Sequence, residues 1–386
     1  VFIFLIGCDN SHQKSFQNLS TAFLDWYYRN NPIDATWLGI HEYDSNFGKY
    51  TKDALNIQYD DIGRFLIELD QIDFTKLTKN DQIDYFILEN AMMELQFNYE
   101  VLKYNEWNPM LIPRIIGNGI STITDRNYAP VELRTISLLN RIKEIPRVVN
   151  ELQTQLLTSP EIYTTTAIKQ VEGNISLLNN IPIIMTADSN IMDTLDIYIT
   201  YAKNSLKQYK NWLENDLLPR SKKNFRLGKD NYHRRFQFSI NENISPEIML
   251  KNAYESLRKN QLKMFHIALP IYLLENDEPI WVTKKDTMEV INWVLDEIAL
   301  DHGSRDNIIE DIRDTLDELE SFINNNHLIN LDESEPLMVR ITPEYQRGVA
   351  IASLDAPGPM EKKLNTFYNV SPIPEEWSDE QVESYL

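Results

Sequence analysis

Apolar residues recur every three or four positions through most of this chain, the period of one buried face of an α-helix. Phe16, Leu19, Phe23 and Trp26 form the first such stripe, which Asn31-Pro32 stops. The stretch from Pro32 to Asp44 mixes turn residues with aromatics and predicts an ordered loop. Ile83, Phe86, Ile87, Ala91 and Leu95 then mark a long helix behind the cap candidates Thr78-Lys79-Asn80-Asp81. Trp107-Asn108-Pro109 opens what is expected to be an irregular link holding Pro113, Gly117 and Gly119. Helical spacing resumes after Pro130, with a break near Pro146, and runs to about Asn179. Leu195, Tyr198, Ala202, Leu206, Tyr209 and Leu213 carry another helix, ended by Pro219. Ser245-Pro246-Glu247 starts the next, with serine at the cap and proline first in the helix. Asp286 with Glu289 caps a further one, and Ile309, Ile312, Leu316, Leu319 and Ile323 mark the last long stripe.

At Leu337 the period changes to two. Leu337, Val339 and Ile341 alternate with Met338, Arg340 and Thr342, which predicts a strand closed by Pro343. A second apolar run, Val349 to Leu354, meets the turn sequence Ala356-Pro357-Gly358-Pro359, and a third, Asn365 to Val370, is closed by Pro372 and Pro374. Ser378 and Gln381 then make a capping box, with Asp379 and Glu380 in the electropositive first turn. The helix so begun has barely two turns before the sequence ends, too few to repay nucleation. The fold class expected is therefore mainly α: a single large helical domain over residues 16–386, with a small β region at about Leu337–Val370 and an incomplete, truncated C-terminal end.

Charge removes one class of partner. The 386 residues hold 37 Lys and Arg against 58 Asp and Glu, a formal charge of −21, so nucleic acid is not expected to bind. Neither GxxxxGK[ST] nor GxGxxG occurs. Cys8 is the one cysteine, which excludes a disulfide framework. It follows Val1-Phe2-Ile3-Phe4-Leu5-Ile6-Gly7, an apolar run too short to span a bilayer and placed where the core of a signal peptide would end. Leu5-Ile6-Gly7-Cys8 resembles a bacterial lipobox, whose cysteine is lipidated and becomes the mature N-terminus. The other reading is a first strand or helix that happens to contain a cysteine; the lipobox is favoured. Residues 1–8 are then the end of a lipoprotein signal peptide and residues 9–15 a polar tether. The protein is expected outside the cytoplasmic membrane, periplasmic or at the cell surface, and held to a bacterial membrane by a lipid anchor at Cys8.

Local chemistry is sparse. The histidines are His12, His41, His233, His266, His302 and His327, and none pairs with another at ligand spacing, so no metal site is expected within these residues. His41-Glu42 begins like HExxH, but the final position is Ser45; His41 is expected to be hydrogen-bonded in a packed loop. No GxSxG occurs, and the many carboxylates predict a solvated acidic surface.

Several segments in order resemble a bacterial family called domain of unknown function 885, whose members are helical and often secreted or lipid-anchored. The resemblance runs through Pro32, Ala35-Thr36, Leu38-Gly39 and Tyr43-Asp44, then Asp81-Gln82 and Trp107-Asn108-Pro109. It continues in Tyr128-Ala129-Pro130, Arg134, Arg141-Ile142 and Ile145-Pro146, then Trp212-Leu213, Leu218-Pro219, Phe225-Arg226-Leu227-Gly228 and Tyr232. It closes in Arg340, Thr342-Pro343-Glu344, Pro357-Gly358-Pro359 and Phe367-Tyr368-Asn369-Val370.

In that family the next segment is a helix of the form HExxPGHxxQ, similar to the motif of gluzincin zinc metallopeptidases. The resemblance implies a peptide-hydrolysing protein with zinc in the full-length chain and its ligands beyond Leu386, so no catalytic residue is expected here and the fragment is expected to be inactive. It also implies a strand beside the metal that pairs with a peptide substrate. Asn365 to Asn369 resembles that strand, with Tyr368 and Asn369 as donors. Arg340 is a candidate for gripping a substrate carboxylate, with the alternative that it pairs with an internal one, and Tyr345 lies on the turn beyond. The rival expectation is a non-catalytic helical surface lipoprotein that binds peptides or glycans, for which abundant tyrosine and tryptophan are suited.

Overall fold

The first helix begins ahead of its apolar stripe. In the computed structural model, which describes residues 11–240, 244–276, 284–305, 307–331, 337–347, 350–361, 364–375, 377–383 and 385, helix α1 spans Ser11–Asn30. Ser11 to Ser15, expected within a polar tether, are its opening residues; Cys8 lies outside the described residues. Helix α2, Pro32–Leu38, replaces most of the loop expected after it. Proline suits a helix's first turn, where its missing N–H costs nothing, and Gly39 stops the helix in a left-handed conformation that favours glycine. A 3-10 turn, His41–Tyr43, completes this stretch.

Helices α3 (Lys52–Asp70) and α4 (Lys79–Phe97) start at threonine caps. The side chain of Thr78 accepts from the Asp81 amide at 3.2 Å, as the sequence predicts. A π-helical turn, Asn98–Leu102, and the short helix α5, Tyr104–Trp107, lead to α6, Leu111–Thr124. The irregular link expected there is helical because Pro113 falls in the first turn and Ile112, Ile116, Ile120 and Ile123 supply a buried stripe. Helix α7, Val131–Gln153, runs through Pro146 without the predicted break. Burial of Ile142, Ile145, Val148 and Val149 on either side offsets the hydrogen bond that proline cannot make. Helices α8 (Glu161–Ile184) and α9 (Ser189–Trp212) follow.

The chain divides into two compact units, Val1–Tyr232 with Leu331–Ser371, and His233–Asn330 with Pro372–Leu386. In the first, α6, α7, α8 and α9 share one apolar core, and α1, α3 and α4 share another around Phe23, Leu69 and Met92. Most of the second unit is α10 (Lys229–Ile240, which starts just before it), α11 (Pro246–Glu275), α12 (Lys284–Ile298) and α13 (Ile308–Asn325). Phe265, Ala268, Val290, Ile291 and Val294 form the contact between α11 and α12. Ser245 caps α11 as predicted, accepting from the Ile248 amide at 3.3 Å. Helix α12 begins at Lys284, ahead of the predicted cap Asp286, whose side chain lies outside the described residues. The predicted capping box opens α14, Asp379–Glu383: the Ser378 amide donates to Gln381 and the Gln381 amide to the Ser378 hydroxyl.

The chain is mainly α, with its β region where the period of two predicts it. Strands β1 (Leu337–Ile341), β2 (Ala352–Asp355) and β3 (Thr366–Val370) form one sheet in the order β1-β3-β2. β1 lies parallel to β3 and β2 antiparallel to it. The strand resembling one that pairs with a peptide, β3, is thus the central one; both its sides are taken, because the two outer strands return beside it.

Candidate functional site

The pleat sends alternate residues of the sheet to opposite faces. Register puts Arg340, Ser353 and Asn369 in one row and Asp355 and Phe367 in the next, on one face, while Val339, Leu354 and Tyr368 share the other. The first face is fastened to the C-terminal end of α6 by two arginines. Arg126, 8 % exposed, donates to the carbonyls of Ala356 at 2.8 Å and Asn365 at 2.9 Å and to the Asp355 carboxylate at 2.9 Å. Arg340 donates from Nε to Asn369 at 2.7 Å and from Nη1 to Asp125 at 2.9 Å. Its guanidinium lies 3.9 Å from the centre of the Phe367 ring, and that of Arg126 lies 5.5 Å away. Two arginines and two aspartates balance in charge, an arrangement that holds a strand in place without leaving a net charge.

This geometry decides how the predicted site residues are disposed. Arg340 already holds an internal carboxylate, Asp125, so the two-pronged grip expected for a substrate is filled from within. Its Nη2 is buried without a hydrogen bond, 3.8 Å from Asp355. Asn369 is 1 % exposed and its amide is engaged by Arg340 and Ser353, which removes it as a substrate donor. Tyr368 sits half-buried on the opposite face, across from Val339 and Leu354. Tyr345 lies in the 3-10 turn Glu344–Gln346, and its side chain is outside the described residues. Sequence reasoning missed Arg126, Asp125 and Asp355, because nothing local in Asp125-Arg126 announces partners more than two hundred residues away.

The connection from β2 to β3 is tied down a second time. Glu361 accepts from His41 Nε2 at 3.1 Å, while His41 Nδ1 faces the Asp44 carboxylate at 3.0 Å. The His41 ring stacks on Tyr128 with centroids 3.7 Å apart, and the Tyr128 hydroxyl donates to Asp44 at 2.6 Å. Thr36 also donates to Asp44, at 2.7 Å, and receives a hydrogen bond from Arg141, whose side chain is fully buried. His41 is therefore hydrogen-bonded in a packed loop, as its sequence context predicts. Burial works against its charged form, yet the bonds to Asp44 and Glu361 outweigh it and raise the imidazole to about 9. Burial likewise opposes the Asp44 carboxylate, but bonds from His41, Tyr128 and Thr36 hold it below the usual range. Gly358 completes the fastening: a Cβ there would overlap the backbone of Trp37 and Leu38, so only glycine lets the loop lie against the end of α2.

These residues leave β1 and β2 as the outer strands, with Leu337, Ile341 and Leu354 exposed on the face away from α6. An outer edge of this kind can take an extended peptide. The described residues do not fit zinc, because no group of three or more His, Cys, Asp or Glu side chains among them is placed to hold a metal ion. Among the described residues, no helix is long and apolar enough to cross a membrane.

A helical body that clamps a small mixed sheet is the class of protein this architecture defines. Residues 32–385 match the family described as bacterial protein of unknown function, DUF885, and the chain belongs to that family. It is similar to a solved structure described as a candidate lipoprotein of unknown function from Shewanella oneidensis, at 25% identity and a TM-score of 0.71. The similarity covers 96% of this chain and 67% of that one. A comparison with curated proteins gives no match.

Proposed function

We propose that this chain is the substrate-holding part of a lipid-anchored, extracytoplasmic metallopeptidase-like protein, and that it grips an extended peptide along the outer edge of β2. The observation that carries this reading is the sheet itself. β2 is an outer strand, and its far end is pinned through Asp355 by Arg126, so the strand is preorganised before any peptide arrives. Leu354, 65% exposed, offers an apolar contact for a peptide side chain beside Tyr368. Main-chain hydrogen bonds then supply affinity and the neighbouring side chains supply selectivity. Arg340 and Asn369 hold the sheet rather than the substrate.

Zinc belongs to this proposal only through the family resemblance. Its ligands would come from a part of the protein that these residues do not contain, and no chemical step is assigned to the residues described. The anchor at Cys8 is supported by the lipobox-like Leu5-Ile6-Gly7-Cys8 and by the description of the Shewanella oneidensis relative.

Fluorescence anisotropy with labelled, extended apolar peptides tests the grip. Saturable binding is expected, and a peptide methylated at alternate backbone amides should lose it, because methylation removes the edge hydrogen bonds and leaves the side chains. Equal binding of the methylated peptide overturns the edge-strand reading. The 386-residue chain should not cleave these peptides with or without added zinc. The product of the complete reading frame should contain zinc by elemental analysis and should cleave them; a product without either property overturns the metallopeptidase part. Mass analysis of the membrane-bound protein should find an acylated Cys8 at its N-terminus.

A further inference from the structure

The hydrogen-bonding phase of β2 fixes which of its residues a peptide can meet. In an antiparallel pair, residues that exchange N–H and C=O with the partner strand alternate with residues that turn both groups away. The Ser371 amide donates to the Ile351 carbonyl at 2.7 Å. The register that runs from Ala352↔Val370 to Asp355↔Phe367 continues from that pair. Ile351, Ser353 and Asp355 therefore bond inward to β3, while Ala352 and Leu354 turn their main-chain groups to the outer side. The other side of β3 agrees with this phase: the Val370 carbonyl, which must point away from β2, accepts from the Thr342 amide at 2.8 Å.

The outward groups set the direction of the peptide. An antiparallel peptide satisfies them with one residue opposite Ala352 and one opposite Leu354, each giving and taking a bond. A parallel peptide needs slanted bonds spread over about five residues, more than β2 (Ala352–Asp355) can lie beside. The same two positions carry the side-chain contacts, because residues directly opposite each other in a ladder share a face. Both peptide residues thus lie on the apolar face that holds Leu354, 65% exposed, and Tyr368. The residue between them falls beside the exposed Ser353, whose hydroxyl accepts from Asn369 at 3.3 Å, on the face fastened to α6. Ala352 is short where Leu354 projects, so the position opposite Ala352 has room for the bulkier side chain.

We propose that the β2 edge selects an antiparallel peptide segment that reads apolar, polar, large apolar from its N-terminal side, as in Val-Thr-Phe. The first residue pairs with Leu354 and the third with Ala352, and these two are the specificity-determining residues. The proposal rests on the edge-strand reading given above and adds to it the direction, phase and side-chain class of the peptide.

Fluorescence anisotropy with a labelled, end-blocked peptide that holds Val-Thr-Phe between polar flanks tests it. N-methylation at Val or at Phe should weaken binding about tenfold, and at Thr by less than about twofold. Phe-Thr-Val should bind about fivefold more weakly than Val-Thr-Phe. Exchanging the two edge side chains, Ala352→Leu with Leu354→Ala, should reverse that order. Leu354→Ala alone, at an exposed position, should abolish it, so a double variant that fails to fold still leaves a readout. Loss of binding on methylation at Thr but not at Val or Phe means a parallel peptide; it overturns the proposal and leaves the edge-strand reading standing. A parent chain that prefers Phe-Thr-Val or neither order, or a preference unchanged in a folded variant, overturns the proposal in the same way. Binding that ignores methylation at every position, or no binding of any of these peptides, overturns the edge-strand reading and the proposal with it.

Discussion

The bundle of α6 to α9 and the three-stranded sheet lie in one unit of the chain, yet they are held by opposite means. The bundle is an apolar core in which Leu138, Ile142, Ile145, Leu178, Ala202 and Leu206 are fully buried. The sheet has one face bound by arginine and aspartate, while the other carries exposed Leu337, Ile341 and Leu354 beside buried Val339 and Val370. Apolar packing is non-directional and tolerates small shifts, whereas the sheet's charged hydrogen bonds fix strand position within a narrow geometry. A scaffold that has to be stable and an edge that has to be placed call for these two solutions respectively.

Arg141 is a charged group set inside the bundle, and it offers the largest test. It rises from α7, is fully buried, and donates to the carbonyls of Asn46 at 3.0 Å, Gly119 at 2.7 Å and Pro32 at 3.3 Å, and to the hydroxyls of Thr122 at 3.2 Å and Thr36. Burial lowers the guanidinium to about 10, with Asp44 acting in the opposite sense, so it stays charged at neutral pH. Arg141→Ala should cost about 3–5 kcal/mol, because the carbonyls of Asn46, Gly119 and Pro32 lose their donor inside the protein and Asp44 loses a nearby positive charge. Urea denaturation measures it. Arg141→Lys should recover little, since an ammonium cannot reproduce the planar fork. A loss below about 1 kcal/mol would mean that apolar packing alone carries this region.

Leu138→Ala should cost about 2–5 kcal/mol for the cavity it leaves in the bundle. Arg126→Ala separates the two regions more cleanly. It should leave the bundle's unfolding midpoint nearly unchanged while hydrogen exchange at the amides of β2 and β3 accelerates, since the sheet loses three of its ties to α6. Exchange that accelerates equally in α7 and α9 would show that the sheet and the bundle open as one.

How much of this could be read from the sequence follows the same division. Stripes such as Leu195 to Leu213 and the period of two at Leu337 are local patterns, and they locate helices and strands well. Cap chemistry at Thr78, Ser245 and Ser378 is local too, and the structure reproduces it. What local pattern could not settle was strand order, which depends on where the chain returns after Pro359. A period of two marks β3 as a strand but carries no sign that it is the central one. Pro113 and Pro146 misled for a related reason: a proline's local penalty is outweighed when the isoleucines and valines around it are buried on neighbouring helices. The candidate site suffered most. Arg340 stands out chemically in the sequence, but its partners come from the C-cap of α6 and from β3, and only tertiary structure brings Asp125 to it.

The His41 latch gives the smallest effect and the sharpest probe of the sheet's polar fastening. Its pKa in the folded protein, about 9, lies above its ordinary value of 6.5. The stabilisation from the Asp44 and Glu361 contacts is therefore complete below about pH 6.5 and is lost as pH rises through about 9. Asp44 behaves oppositely. Its pKa is depressed, so its contribution is present above the ordinary value of 3.8 and is lost as pH falls through the lower folded value. Together they predict a plateau between roughly pH 4 and 6.5 with a shallow decline on the alkaline side. The His41 side chain is 29% exposed while Asp44 is buried, and screening at the imidazole keeps the alkaline loss on the order of 1 kcal/mol. His41→Gln keeps a ring-sized polar group that can still donate to one carboxylate, but it cannot titrate. Its denaturation curve should be flat between pH 7 and 10 where the parent declines, and exchange at the β2–β3 connection should lose its pH dependence beyond the intrinsic chemical rate. A parent and variant that decline in parallel would place the alkaline sensitivity elsewhere and leave the arginines as the principal fastening of the sheet.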